Sequence, residues 1–275
     1  MKWRLLATSL FLACVGGMLS ATELAPWFGK TLEIEGRATT RVQCYNLLDT
    51  KSGSKKHPAC DVFVDLSAAT AVDLIVNVSA ELEAVLAATR HRSFGFDSFL
   101  FTGRYLWLND VIGDPISLVT GATISKVFRP ARHDIGVFHH GGIQCEFHVA
   151  AGKEFSCEQF WLSRGWGVLG LGIADQGSPW LRANLAWERN WWNRHELKIF
   201  MDSLWGLGNR SLNLKHHFPG YGPIHHQSID TGVRYRIAFE SGAALSFEYA
   251  YRLFANNCPE YVNLLMVRLF YPFGL

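Results

Sequence analysis

The sequence has no long uncharged apolar stretch after its first residues. Beyond residue 21, no segment offers the run of about 18 apolar residues that a transmembrane helix needs. It also lacks an excess of either charge, because 26 Lys and Arg residues against 24 Asp and Glu residues give a formal net charge of +2. Without a basic block it lacks the footprint of a nucleic-acid-binding protein. No repeat and no low-complexity linker is visible, so one domain is the simplest prediction.

The N-terminus has the pattern of an export signal. Lys2 and Arg4 precede an apolar run from residue 5 to residue 15, and small residues follow up to Ala21. This pattern predicts a secretory signal peptide over residues 1–21 and a mature chain over residues 22–275. A lipoprotein signal acylated at Cys14 is the competing interpretation, but the residues around that cysteine fit it poorly.

The last fifty residues alternate between apolar and polar side chains. Along 229–239 the odd positions are mainly apolar and the even positions mainly polar, and the same alternation resumes along 243–253 after a short turn at Ser241. The chain ends on apolar residues of one parity from Tyr261 to Leu275. A period of two over three segments predicts a β-hairpin followed by a final strand.

Nine earlier segments show the same period. They cover 31–45, 61–67, 73–86, 96–108, 116–126, 137–149, 160–173, 180–190 and 196–207. A helical turn is conceivable over 80–86, but alternation across the whole segment favours a strand. The glycines of 160–173 suggest a bent strand or a close approach of backbones. Together these segments predict about twelve strands, and ten or fourteen remain compatible with the pattern.

This pattern resembles that of the single-chain outer-membrane β-barrels of Gram-negative bacteria. Their final strand carries alternating apolar residues and a terminal aromatic residue that the barrel insertion machinery reads. Tyr271 and Phe273 keep that parity, whereas Leu275 stands where Phe is usual. The resemblance implies an all-β, antiparallel transmembrane barrel in the bacterial outer membrane, surrounded by lipid and inserted through its C-terminal strand.

The topology that this resemblance implies has short periplasmic turns and longer outer loops. An even number of strands brings both termini to the periplasmic side. The polar segments 51–56, 129–134 and 211–226 then fall outside, and the turns around Ala69 and Ser241 face the periplasm. A basic loop at 90–92 leads into the strand predicted over 96–108.

A membrane barrel turns its polar face toward the lumen, and here that face is charged. The first three strands are rich in acidic residues and the last three in arginine, which predicts an aqueous channel with a transverse field, resembling the constriction of general porins. The predicted lining residues are Glu33, Glu35, Arg37, Arg41, Asp65, Glu81, Glu83, Arg182, Glu188, Arg234, Arg236, Glu248, Arg252 and Arg268. The competing prediction is that these side chains pair with one another and fill the lumen.

Three functions compete for such a barrel. A passive porin-like channel for small hydrophilic solutes is favoured, ahead of a closed structural or adhesive barrel that acts through its outer loops. An outer-membrane lipid or peptide hydrolase is the third, and an enzyme is the less favoured class. His139 and Ser163 both fall on the lipid parity, but they lie toward opposite ends of their strands and should not meet. We therefore assign no catalytic residue.

Histidine pairs are the weak candidates for a metal site. His216, His217, His225 and His226 lie in one polar loop, and imidazoles can bind zinc or copper, but their spacing matches no standard metal motif. No cofactor is predicted.

Five cysteines follow the predicted signal peptide. Cys44 and Cys60 bracket the first outer loop and are candidates for a disulfide. Cys145 and Cys157 either bracket a periplasmic turn or are small apolar residues that are never oxidised. Cys258 is left over in an outer loop, and an exposed odd thiol predicts a disulfide-linked envelope partner. In its cysteine usage the chain resembles envelope barrels of obligate intracellular bacteria, whose walls depend on disulfide cross-links.

Overall fold

A single antiparallel sheet accounts for most of the chain. The computed structural model describes residues 23–72, 77–157, 160–214 and 218–274, so the predicted signal peptide and Leu275 lie outside the described residues. The strands are β1 (Glu33–Leu48), β2 (Lys55–Val72), β3 (Val78–Thr89), β4 (Arg92–Leu108), β5 (Ser117–Val127), β6 (Ile143–Cys157), β7 (Phe160–Ala174), β8 (Trp180–Trp191), β9 (His195–Gly206), β10 (Gln227–Ala238), β11 (Ala244–Asn256), β12 (Pro259–Glu260) and β13 (Asn263–Gly274).

Two short helices accompany the strands. One is a 3-10 helix, Asp110–Ile112, and the other is α1, Arg129–Arg132. In the described part of the chain, neither is long or apolar enough to cross a membrane.

The sheet closes on itself through its first strand. β1 pairs with β2 on one side and with β13 on the other, in a register that runs from Glu33 opposite Gly274 to Cys44 opposite Asn263. Every other long strand pairs with its neighbours in the chain, and all pairings are antiparallel. The result is an up-and-down barrel of twelve long strands, which confirms the predicted number; the two-residue β12 only extends the edge of β1.

The first strand begins and the last strand ends at the same rim of the barrel, as the even strand number requires. We call this end, where Glu33 meets Gly274, the terminal rim and the opposite end the loop rim. The two longest connections, 128–142 and 207–226, lie at the loop rim. The connection at 90–91 lies there too, but it is a tight hairpin of two residues, shorter than the loop that its basic residues suggested.

Apolar side chains cover the outer wall of the barrel. Along β11, Phe247 and Tyr249 are exposed, whereas Glu248 and Arg252 on the other face are buried. The same alternation runs around the wall, and exposed aromatic residues gather near the terminal rim, among them Trp107, Trp191, Trp192, Tyr271 and Phe273. An outward apolar band with aromatic residues at its edge is what a lipid environment selects.

The boundaries of β2 and β6 differ most from the prediction. The predicted turn around Ala69 is wrong, because Ala69 lies inside β2 and pairs with both Glu35 and Glu81. Small residues without Gly or Pro let the strand continue to Val72, and β3 begins at Val78. The strand predicted over 137–149 begins only at Ile143, after Gly141 and Gly142.

A tryptophan explains part of the glycine content of β7. Gly172 lies opposite Trp180 of β8, and a Cβ atom on Gly172 would overlap the indole ring. Trp180 is therefore buried inside the barrel, where its Nε1 donates to Oε2 of Glu146 at 3.1 Å. This is the close approach that the glycines suggested.

The segment before β1 folds into the barrel from the terminal rim. We call residues 23–28 the plug. Leu24 and Ala25 are buried among interior side chains that include Val119 and Trp166. Trp27 contacts Trp166 edge to face, with ring centroids 5.7 Å apart, and its Nε1 donates to Oδ1 of Asp110 at 3.0 Å.

Two long loops cover the loop rim. We call residues 128–142, 207–214 and 218–226 the lid. Tyr221 is fully buried in the lid. Its ring contacts that of Phe138 in a tilted arrangement with centroids 4.7 Å apart, and its hydroxyl donates to the carbonyl of Ile135 at 2.8 Å. Apolar residues of both loops pack there against Leu48 and Leu204 of the wall. The described interior is thus bounded by the plug at one end and the lid at the other.

Candidate functional site

The predicted lining residues all lie on the inner face of the wall. They fall on the parity opposite to the exposed apolar residues, and none of the fourteen is exposed. Their placement is compatible with a lumen lining, while passage of a solute along them remains a prediction.

Most interior charges pair with one another. A buried ion without a partner costs several kcal/mol, so such pairing is expected wherever water is scarce. The pairs join side chains of neighbouring or next-but-one strands: Arg37 with Glu81 at 3.0 Å, Arg164 with Glu188 at 2.6 Å, Arg234 with Glu188 at 2.5 Å, Arg236 with Glu196 at 2.5 Å, Arg252 with Asp230 at 2.7 Å, and Arg182 with Glu146.

The acidic and basic arcs lie side by side. Because β13 pairs with β1, the arginine-rich strands β10, β11 and β13 adjoin the acidic strands β1 to β3 instead of facing them across the lumen. The predicted transverse field would therefore arise between adjacent arcs, and it stays a prediction. The predicted barrel already implied this adjacency, because closure of the sheet pairs the first strand with the last.

The plug places a carboxylate among wall cations. Oε1 of Glu23 accepts a hydrogen bond from Nζ of Lys198 at 2.8 Å, and Oε2 accepts one from Nη1 of Arg234 at 2.7 Å. Nη1 of Arg268 lies 3.9 Å from Oε2. Three strands, β9, β10 and β13, therefore supply positive charge to one side chain of the plug.

A cavity of about 210 Å³ lies between the plug and the wall. Its charged lining consists of six arginines and three glutamates: Arg37, Arg104, Arg164, Arg234, Arg236 and Arg268, with Glu23, Glu35 and Glu196. Three further carboxylates, Glu81, Glu188 and Glu248, lie buried nearby. The surface that a solute would meet is therefore richer in guanidinium than in carboxylate groups.

Arg104 binds a backbone carbonyl of the plug and not a carboxylate. Its Nη1 donates to the carbonyl of Ala25 at 3.1 Å, and its Nε donates to Oγ of Ser79 at 3.1 Å. Its guanidinium lies 4.9 Å from the centre of the Phe28 ring. In the described ranges no carboxylate forms a direct ion pair with this side chain.

Several residues of this region were not singled out from the sequence. Lys198 and Glu196 share the inward parity of their strand, and Arg104 lies opposite in parity to Phe101 and Tyr105, so alternation could have identified all three. Glu23 could not be found in this way, because it precedes the first strand and belongs to no periodic segment.

The lid buries a pair of histidines. Nε2 of His140 lies 3.0 Å from Nε2 of His226, and the His140 ring stacks on Trp180 with centroids 4.1 Å apart. Burial lowers the pKa of His140 to about 3 and holds the pKa of His226 well below its ordinary value. Both rings are therefore neutral near pH 7.

The histidine metal candidates are not brought together in the described ranges. His216 and His217 lie outside the described residues, His225 is exposed, and His226 contacts His140. Among the side chains that the structure describes, no group of three or more His, Cys, Asp or Glu residues is arranged to hold a metal ion.

His139 belongs to the lid and not to the lipid-facing wall. The predicted lipid parity is wrong, because the chain is still in a loop at this position and strand alternation does not apply. The side chain is buried, with Nε2 2.9 Å from Oδ2 of Asp97 and Nδ1 3.4 Å from Nε2 of Gln144. Ser163 lies in β7 near the terminal rim, so the two residues are far apart, as expected.

The cysteines follow the prediction in part. Cys44 and Cys60 face each other in the β1–β2 register and form a disulfide. Cys145 and Cys157 both lie in β6, so the prediction that they bracket a turn is wrong. Cys258 is 0% exposed and donates to the carbonyl of Gln227 at 3.3 Å. The prediction of an exposed thiol is therefore wrong. Burial also raises the pKa of this thiol to about 12.

The closed sheet, the outward apolar band and the charged interior define the class of the molecule, a twelve-stranded β-barrel of the outer-membrane type. No protein-family model matches the sequence, and no curated protein is similar to it in sequence. Solved structures do share its fold. A COG4313 outer-membrane channel from Pseudomonas putida F1 is 11% identical, with a TM-score of 0.68, over 92% of this chain and 100% of that one.

Two further structures show the same architecture. The NanC porin is 8% identical with a TM-score of 0.53, over 86% of this chain and 98% of that one. The translocator domain of the autotransporter NalP from Neisseria meningitidis is 12% identical with a TM-score of 0.51, over 99% of this chain and 94% of that one. These similarities concern the fold.

Proposed function

We propose that this chain is an outer-membrane channel for the passive passage of small hydrophilic solutes, in a conformation that the plug and the lid close. In this proposal a signal peptide over residues 1–21 directs export, and the C-terminal strand is read by the barrel insertion machinery. Lipid surrounds the apolar band of the wall. The fold similarity to outer-membrane channels and porins supports the location and the general role.

One observation carries the proposal. Two segments that are not part of the wall pack into the barrel and over its loop rim, and the wall beside the plug carries a charged surface. A structural barrel needs neither, because narrow barrels fill their interior with side chains of their own strands. Charged groups around a cavity also favour water there, since ions in a dry interior are costly. The plug and the lid can therefore open a hydrated path without any change in the wall.

Planar-bilayer recording of the protein, after a heat-dependent shift in gel mobility has shown that it is folded, tests this function. We expect discrete and reproducible conductance steps. We also expect Arg236→Glu to shift the reversal potential toward cations, because Arg236 lines the cavity. Arg194→Glu is the matched control, since Arg194 lies in the exposed turn 192–194. A folded barrel that never conducts contradicts the proposal.

That outcome would favour the second candidate, a closed structural or adhesive barrel. The apolar core of the lid supports this alternative, because it gives the loop rim an ordered outer surface. A hydrolase has less support, since the ring nitrogens of His139 contact Asp97 and Gln144 and neither contacts a serine or cysteine in the described part of the chain.

A further inference from the structure

Glu23 occupies a position that resembles that of a bound ligand. Its carboxylate belongs to the plug, whereas the groups that bind it, Lys198, Arg234 and Arg268, belong to the wall. Both oxygens are engaged, and Arg234 binds them through two nitrogens at 2.7 and 3.2 Å. This two-pronged contact is the geometry in which a guanidinium recognises a carboxylate.

Glu23 forms the direct ion pair of two of these cations. Arg234 keeps Glu188 as a second partner at 2.5 Å, but in the described ranges Lys198 and Arg268 form no direct ion pair with any other carboxylate. Both side chains are nearly buried. If the plug withdraws, both side chains lose this direct ion pair, although the charge of Glu248 still acts on Arg268 at longer range. An anion in place of Glu23 would restore the lost contact.

Space for such an anion adjoins two of the three cations, Arg234 and Arg268. Glu23, Arg234 and Arg268 all line the cavity of about 210 Å³, and Arg104 and Arg236 extend its positive surface. An anion that enters this cavity therefore reaches Arg234 and Arg268, and Lys198 becomes accessible to it where the carboxylate of Glu23 now lies.

We propose that Lys198, Arg234 and Arg268 form a binding site for small organic carboxylates, and that such a solute opens the barrel by replacing the carboxylate of Glu23. This site names the solute class of the proposed channel and rests on that function for its role in transport. Binding itself does not depend on conduction, so the two can be tested separately.

Accessibility of the plug to a thiol reagent reports its withdrawal. Ala25→Cys places a buried thiol in the plug, and Cys145→Ser with Cys157→Ser removes the two free cysteines that are not buried. The protein is purified from membranes, its N-terminus is verified by mass spectrometry, and its labelling by a polar maleimide is timed. The probe is gluconate, compared with sorbitol and with potassium chloride at the same ionic strength.

We expect saturating gluconate to speed labelling about tenfold or more, since a charge-assisted hydrogen bond contributes on that order to an equilibrium, and sorbitol and chloride to have little effect. Glu23→Gln should label fast without gluconate and gain nothing from it. Lys198→Met should lose most of the gluconate response, and it tests the site independently if the Glu23 variant does not fold. Glu240→Gln, in an exposed turn, should behave as the parent.

The outcomes separate the site from the channel. A parent protein that conducts but shows no gluconate effect on labelling, or the same effect with chloride, overturns the carboxylate site and leaves the channel intact. A clear gluconate effect in a barrel that never conducts supports the site and contradicts the channel.

Discussion

Arg234 binds the carboxylate of Glu23 with both terminal nitrogens, although 211 residues separate the two in sequence. The same guanidinium donates to Glu188, which is fully buried in β8. This contact therefore fastens a segment that precedes the barrel to the centre of its wall. Because the plug is attached by polar contacts at Glu23 and Trp27 and by burial of Leu24 and Ala25, its removal has defined consequences.

Deletion of residues 23–28 is expected to increase the fraction of time that the channel is open by about tenfold or more, because ion pairs and apolar contacts worth at least about 1.4 kcal/mol are lost. Single-channel recording of the variant against the parent measures this fraction. The cavity then joins the remaining lumen, so conductance should also increase.

Trp192→Ala provides the comparison for the deletion. Trp192 lies in a turn at the terminal rim and is 86% exposed, so its loss should leave gating unchanged. Equal open fractions for the parent and the deletion variant would show that the plug does not close the channel.

The disulfide joins two strands that already pair. Replacing Cys44 and Cys60 by serine removes a cross-link between residues 16 apart in sequence, which should lower the free energy of unfolding by about 1–3 kcal/mol. Urea unfolding followed by gel mobility measures the change. Cys157→Ser, at an exposed free cysteine, should have no effect, and an equal effect of both variants would mean that the disulfide contributes nothing.

Alternation predicted the wall of the barrel because lipid and lumen select opposite side chains on a strand. This is why the parity of Glu248 and the number of long strands followed from sequence. The plug and the lid did not follow, because neither repeats with a period of two. His139 was misplaced because the alternation was extended into the lid. The end of β2 at Val72 was missed because the small residues around Ala69 were interpreted as a turn.

Two strand glycines offer a matched test of interior packing. Gly172→Ala forces a methyl group into the Trp180 ring and should lower the free energy of unfolding by about 1–3 kcal/mol. Gly103→Ala adds the same group where the nearest atom, on Phe101, is 3.8 Å away, so its effect should stay within about 0.5 kcal/mol. Urea unfolding measures the free energy of unfolding of both variants. Equal values would show that Trp180 does not occupy the space over Gly172.

The lid should loosen in acid because its histidine pair is buried in neutral form. The ordinary pKa of histidine is 6.5, and burial lowers that of His140 to about 3 and that of His226 well below 6.5. A histidine with a lowered pKa stabilises the folded form fully above 6.5, and this stability is lost as the pH falls from 6.5 toward the folded pKa. Positive charge on Arg252 acts in the same direction.

Each histidine that must gain a proton should cost the closed lid about 1.4 kcal/mol per pH unit below 6.5. The rate of hydrogen exchange in the lid, corrected for the intrinsic effect of pH, should therefore increase steeply as the pH is lowered from about 6 to about 4. Exchange in the wall strands should stay low. His140→Gln with His226→Gln should flatten this dependence, because glutamine does not titrate. His225→Gln, at the exposed neighbouring position, should retain it. A lid that exchanges at the same corrected rate at both pH values would show that proton uptake by the buried pair is not linked to its opening.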